Sequence, residues 1–116
     1  MILTLTQVAL GGAIGSLLRY LTTAVVSAPL GTAVVNVVGS FAMGVLFVTL
    51  SSRTSLSPLL MTGVLGGFTT FSAFSLDALK LWTAGQTTVA LAYVGGSVVL
   101  SLVAVALGAA LARGLT

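Results

Sequence analysis

Residues 66–75 have the sequence Gly66-Gly67-Phe68-Thr69-Thr70-Phe71-Ser72-Ala73-Phe74-Ser75, in the middle of an apolar segment that runs roughly from Leu59 to Leu81. Adjacent glycines loosen a helix, and hydroxyl groups bring hydrogen-bond donors to a depth where a membrane holds no water. Two interpretations follow from this composition. Either the helix breaks at mid-membrane for a functional purpose, or its small residues form a packing surface for another helix.

The composition of the whole chain indicates its class. Of its 116 residues, 58% are hydrophobic and 4% are charged, with a mean hydropathy of +1.26. Soluble domains have about 25% charged residues, so a soluble fold could not cover its surface with these residues. The sequence therefore predicts an integral membrane protein whose main surroundings are the lipid bilayer.

Long uncharged runs cover residues 20–52, 54–76 and 81–112. A membrane-spanning helix needs about 20 apolar residues. We therefore predict an all-α membrane protein with a single four-helix transmembrane domain over residues 1–116. Short connections make neighbouring helices antiparallel. The predicted helices are Ile2–Val26, Gly31–Leu50, Leu59–Thr83 and Thr87–Ala112.

Several kinds of chemistry are excluded by residues that the chain lacks. It has no cysteine, no histidine and a single acidic residue, Asp77. Disulfides, paired-carboxylate catalysis, catalytic triads and side-chain metal cages within one chain are therefore excluded. No basic cluster indicates nucleic acid binding. We predict a protein that is not an enzyme.

The basic residues do not favour one orientation in the membrane. Arg53 and Arg113 fall on the side of the N-terminus, whereas Arg19 and Lys80 fall on the opposite side. Orientation normally follows an excess of Lys and Arg on one side. Either a weak local signal decides, or copies insert both ways up, which we favour because all four basic residues balance. Dual topology predicts an antiparallel homodimer with its two-fold axis in the membrane plane.

Two predicted helices carry polar stripes. The second has polar or small residues at four-residue spacing, and the fourth has a line of hydroxyls at the same spacing. An asparagine inside a span is costly unless its amide has partners, so Asn36 is either interhelical glue or a pore-lining donor. The stripes are Thr32, Asn36, Ser40 and Gly44 on the second helix, and Tyr93, Ser97 and Ser101 on the fourth.

The third helix combines aromatic and hydroxyl residues. Phe71 and Phe74 are three residues apart and share a face. The electropositive edge of a phenyl ring could favour a small anion in a narrow path. Asp77 and Lys80 are also three apart, and we expect them to pair near the helix end.

Arg19 on the first helix is either an interfacial anchor or a charge that concentrates anions at a vestibule.

The predicted mid-membrane polar groups are all neutral. No acid lies near the centre of a span to attract a cation or carry a proton. Neutral donors and aromatic edges suit a small, strongly hydrogen-bonding anion. The polar residues are Asn36, Thr69, Thr70, Ser72, Tyr93, Ser97 and Ser101.

These residues resemble the motifs of the Fluc/CrcB family of fluoride channels. The resemblance reaches all four predicted helices, and the third motif is the most specific. The four motifs are Gly11-Gly12-x-x-Gly15-x-x-x-Arg19-Tyr20, Gly31-Thr32-x-x-Val35-Asn36-x-x-Gly39-Ser40-Phe41, Gly66-Gly67-x-Thr69-Thr70-Phe71-Ser72-x-Phe74 and Tyr93-x-x-x-Ser97-x-x-x-Ser101.

The resemblance implies a dual-topology antiparallel homodimer that exports fluoride passively through a prokaryotic inner membrane and confers fluoride resistance. It places Arg19 near a vestibule. It also implies a structural sodium ion at the dimer centre, bound by backbone carbonyls of Gly66 and Thr69 at the broken third helix. The expected fluoride pathway comprises Asn36, Thr70, Phe71, Ser72, Phe74, Tyr93, Ser97 and Ser101.

One residue differs from the family motif, and one alternative function must be considered. Ala73 stands where many members of the family have another threonine. The alternative function is a small dual-topology, proton-coupled multidrug transporter, a class that also uses four short helices. Such transporters rely on a membrane-embedded carboxylate in the first helix, and the first predicted helix here has none.

Overall fold

The computed structural model describes residues 1–50 and 55–115, which form four long apolar segments of helix. The third segment is a chain of three helical pieces, and the predicted spans agree with the four segments to within three residues at every end. Arg53, which entered the charge count, lies outside the described residues. The helices are α1 (Ile2–Val25), α2 (Leu30–Thr49), a π-helix (Pro58–Leu65), α3 (Gly66–Phe68), α4 (Phe71–Thr83) and α5 (Thr87–Leu115).

The third segment, Pro58–Thr83, breaks near its middle. Thr69 and Thr70 both have extended backbones, with φ/ψ of −84°/155° and −152°/121°. The Thr70 hydroxyl accepts a hydrogen bond from the backbone N–H of Ala73 at 3.2 Å, which caps the start of α4. The predicted break is therefore present, but the glycines Gly66 and Gly67 stay helical and the chain opens at the threonines after them.

Glycines allow the long segments to approach closely in two pairs. A Cβ atom on Gly11 of α1 would lie 2.8 Å from the Cα of Gly63 in the π-helix. A Cβ atom on Gly44 of α2 would lie 2.8 Å from the backbone nitrogen of Ala109 in α5. Small residues at such crossings let helix backbones pack without intervening side chains. Hence α1 lies against the first half of the third segment, and α2 lies against α5.

Most large apolar side chains point away from the protein. Leu10, Leu100 and Leu107 are each more than half exposed, and the same holds along the outer faces of all four segments. Contiguous apolar surface of this extent is unsuited to water but suited to lipid. Each of the four segments is also long and apolar enough to cross a bilayer. The chain is a multi-pass membrane protein.

Candidate functional site

The break in the third segment is held by one side chain from α2. The Asn36 amide nitrogen donates to the Thr70 carbonyl at 3.0 Å, and the Asn36 side-chain oxygen accepts from the Thr70 N–H at 2.8 Å. Asn36 therefore serves both backbone groups of the residue at which the helix opens. This contact confirms the interpretation of Asn36 as interhelical glue, and we call it the amide clamp.

The clamp also redirects the hydrogen bonds that a continuous helix would make. In such a helix the Thr70 N–H would bond to the Gly66 carbonyl, and the Ala73 N–H would bond to the Thr69 carbonyl. Here Thr70 donates to Asn36, and Ala73 donates to the Thr70 hydroxyl. The carbonyls of Gly66 and Thr69 are thus released from their helical partners. These are the two carbonyls that the family resemblance assigns to sodium.

A cavity of about 420 Å³ lies beside the break, between α2, α4 and α5. We call it the serine cavity. None of its described lining residues is charged, and a large share of them are the residues predicted for a fluoride pathway. It is lined by Asn36, Gly39, Ser40, Met43, Thr69, Thr70, Phe71, Phe74, Ser97, Val98, Ser101, Leu102 and Val105.

Two other predicted residues touch this lining without being part of it. The Ser72 hydroxyl lies 3.2 Å from the Thr70 hydroxyl. The ring of Tyr93 lies 5.3 Å from that of Phe74, and Phe74 lies 5.4 Å from Phe71. The eight residues predicted for the pathway therefore form one connected group.

The aromatic rings differ sharply in burial. Phe74 is 8% exposed, whereas Phe71 is 77% exposed in the single chain. The three rings are tilted by 41° to 47° relative to their neighbours, a geometry that presents ring edges as well as faces. Phe71 therefore stands at the open side of the serine cavity, where its ring has few contacts within its own chain.

Asp77 does not form the ion pair that its spacing predicts. It is buried, and its carboxylate accepts a hydrogen bond of 3.2 Å from the Tyr93 hydroxyl. Lys80 lies on an exposed part of α4, and no ion pair joins it to Asp77 in the described part of the chain. The prediction is wrong because α5 covers the Asp77 face of α4, which a spacing rule for isolated helices does not consider.

A second cavity, of about 300 Å³, contains the predicted vestibule residue Arg19. We call it the arginine cavity. Thr70 lines both cavities, so the helix break lies between them. Ala73, the departure from the family pattern, also faces the arginine cavity. Its lining residues are Ser16, Arg19, Tyr20, Thr23, Ala28, Thr32, Thr70, Ala73 and Asp77.

The sequence prediction left some of these lining residues without a role. The sequence predicts Asp77 near a helix end and gives Ser40 and Met43 no position at a site. A signal for Ser40 was present, because it follows Asn36 by four residues in the polar stripe of α2. Three predicted site residues, Gly66, Ser72 and Tyr93, are absent from the described lining of both cavities.

Asn36→Leu should loosen the break. The substitution leaves both Thr70 backbone groups without their partners, and each unsatisfied buried group costs about 1–3 kcal/mol. We expect amide hydrogen exchange at Thr70 to accelerate by roughly tenfold or more, measured by mass spectrometry on the peptide that covers residues 66–75 of detergent-solubilised protein. Gln7→Leu is the matched control, because the Gln7 amide donates to Ser55, away from the break. Unchanged exchange in Asn36→Leu would contradict the clamp.

Comparison with known proteins places the chain in a family. The profile of the family described as CrcB-like protein, Camphor Resistance (CrcB), matches residues 6–109. The chain is 55% identical over 121 aligned residues to the Fluoride-specific ion channel FluC of Cereibacter sphaeroides, covering 98% of each chain. It is 52% identical to the protein of the same name from Paracoccus denitrificans, covering 97% of this chain and 96% of that one. The Rhizobium meliloti relative is 50% identical, with coverages of 89% and 90%. The chain belongs to the CrcB family.

Proposed function

We propose that the protein is a fluoride-selective channel through which cytoplasmic fluoride leaves the cell by passive electrodiffusion, which protects the cell from fluoride. The serine cavity is the observation that carries this proposal. It gathers neutral hydrogen-bond donors and aromatic rings beside a helix break. The relatives named fluoride-specific ion channels support the same function. A prokaryotic inner membrane is the compartment that we propose.

The chemistry of the cavity suits a small anion. Fluoride holds its water tightly, so a pathway must offer several donors that replace water without binding the ion too strongly. The hydroxyls of Ser97 and Ser101 and the edges of Phe71 and Phe74 are neutral groups of this kind. A fixed positive charge among them would trap the ion. The neutral lining therefore favours conduction over binding.

The two cavities suggest the order in which a permeating anion meets the pathway residues. Arg19 is half-buried in the arginine cavity, where its positive charge attracts anions while the Asp77 carboxylate on the same lining repels them. Thr70 separates this cavity from the serine cavity. In the proposed path an anion enters beside Arg19, passes Thr70 and continues along Ser97 and Ser101. Tyr93 and Ser72 flank this route through their contacts with Phe74 and Thr70.

An antiparallel, dual-topology homodimer is part of the proposal. The hydroxyl and amide groups on the open side of the serine cavity would be costly against lipid but could be covered by a second copy, which would also contact the exposed Phe71. The balanced basic residues favour insertion in both orientations. A two-fold axis in the membrane plane then relates the two copies, with one pathway associated with each.

A structural sodium ion also belongs to the proposed dimer. The released carbonyls of Gly66 and Thr69 are oxygen ligands of the kind that hard cations prefer. The described residues include no group of three or more acidic, histidine or cysteine side chains that could hold a metal instead. The cation would satisfy carbonyls that have no water to bond in a membrane interior. The ion would supply electrostatic stabilisation of these carbonyl dipoles.

Fluoride flux should depend on Phe71. In liposomes containing purified protein, we expect rapid fluoride efflux and no chloride efflux, measured with ion-selective electrodes. Phe71→Ile removes the ring edge, worth about 1 kcal/mol, and should slow efflux by roughly fivefold. Phe47→Ile, at an exposed position on α2, should leave efflux unchanged. Chloride efflux as fast as fluoride efflux, or full activity in Phe71→Ile, would overturn the proposed channel.

Both ends of α5 should be found on both faces of the membrane. The chain has no cysteine, so single cysteines can be introduced by Gln86→Cys and Leu115→Cys at opposite ends of that helix. In sealed cells, dual topology predicts that a membrane-impermeant maleimide labels about half of each variant, since insertion occurs with no charge bias. Permeabilised cells supply the full-labelling control. Complete labelling of one variant with protection of the other would rule out dual topology.

Sodium should stabilise the purified protein. An ion that binds only the folded dimer at 100 times its Kd adds about 2.7 kcal/mol to the free energy of unfolding. We therefore expect the thermal unfolding midpoint to rise when sodium replaces N-methylglucamine at constant ionic strength. Thr69→Val, which removes a hydroxyl but keeps the carbonyl, should retain this response. Equal midpoints in the two cations would argue against the site.

A further inference from the structure

Ser40 lies on the α2 side of the serine cavity, one helical turn after Asn36. Ser97 and Ser101 line the same cavity from α5. The α2–α5 pair is in close contact further along, where Gly44 meets the backbone of α5. The cavity therefore has hydroxyl groups on two different helices.

The Ser40 hydroxyl is not used to stabilise its own helix. Hydroxyls elsewhere in the spans, such as those of Thr49 and Thr69, donate to the carbonyl four residues earlier. Ser40, Ser97 and Ser101 make no side-chain hydrogen bond to any residue that the structure describes, and no oxygen among them is both fully buried and unpartnered. All three oxygens are therefore accessible, and all three residues line the cavity.

An anion in this cavity needs donors from more than one direction. The stripe on α5 offers hydroxyls from one side, and on α2 the Asn36 amide commits its oxygen and one of its two N–H groups to Thr70. The neighbouring lining residues Met43 and Leu102 are apolar. An ion solvated from α5 alone would face an apolar wall, at a cost that rises with every lost hydrogen bond.

We propose that the Ser40 hydroxyl donates a hydrogen bond to fluoride from the α2 wall of the serine cavity, in concert with Ser97 and Ser101 on α5. The inference rests on the proposed channel function and assigns this function one further residue. Ser40 completes a two-sided solvation shell. The polar stripe of α2 thus has two roles. Asn36 stabilises the helix break, and Ser40, one turn later on the same helix, contacts the ion.

The test compares fluoride efflux from liposomes containing wild-type protein, Ser40→Ala, Ser40→Thr and Thr49→Ala. Loss of one hydrogen bond to a charged partner should slow Ser40→Ala roughly tenfold, whereas Ser40→Thr keeps the donor and should recover most of the flux. Thr49→Ala is the matched control, because Thr49 lies on the same helix and donates only to Val45. Size-exclusion chromatography checks that each variant retains the wild-type assembly.

The outcomes separate the two proposals. Absence of fluoride efflux from the wild-type protein would overturn the channel function itself. Normal wild-type efflux with an unimpaired Ser40→Ala variant would overturn only the role of Ser40. Equal loss of efflux in Ser40→Ala and Ser40→Thr would also overturn it, because the hydroxyl would then matter only for packing. Slow Ser40→Ala with active Ser40→Thr is the expected result.

Discussion

The amide clamp between Asn36 and Thr70 is the contact on which the rest of the site depends. A helix that opens inside a membrane exposes backbone groups that water cannot reach, and each unsatisfied group costs several kcal/mol. One asparagine side chain provides both a donor and an acceptor to the opened residue. Because α2 supplies this clamp, the start of α4 is fixed relative to α2, and the positions of Phe71 and Phe74 follow from it.

The membrane spans could be predicted from the sequence, because long uncharged apolar runs are the pattern that a bilayer selects and a soluble fold avoids. The break could also be located within a few residues, since glycines and hydroxyls seldom cluster in a plain membrane anchor. The exact opening could not be predicted. Gly66 and Gly67 have weak helix propensity, yet they remain helical, and the chain opens instead where Thr70 caps α4 and Asn36 binds the Thr70 backbone.

Predictions that concerned side-chain partners were less successful. The three-residue spacing of Asp77 and Lys80 predicts a pair, but the partner of Asp77 is Tyr93 on another helix. The polar stripe of α2 includes Ser40, but its position at a cavity could not be predicted, since a cavity depends on the distance between α2 and α5. Periodicity identifies which residues share a face of a helix. It does not identify what that face meets, and this determines the chemistry of the site.

A helix break produces two kinds of electrostatic environment at once. The end of α3 presents carbonyl oxygens with partial negative charge, and the start of α4 presents N–H groups with partial positive charge. Gly66 and Thr69 lie on the carbonyl side, whereas Phe71 and Ser72 lie in the first turn on the N–H side. A chain that lacks acidic residues at mid-span can therefore offer ligands to a cation and an attractive field to an anion within a few residues. The backbone supplies the polarity that charged side chains would otherwise have to bring into the membrane.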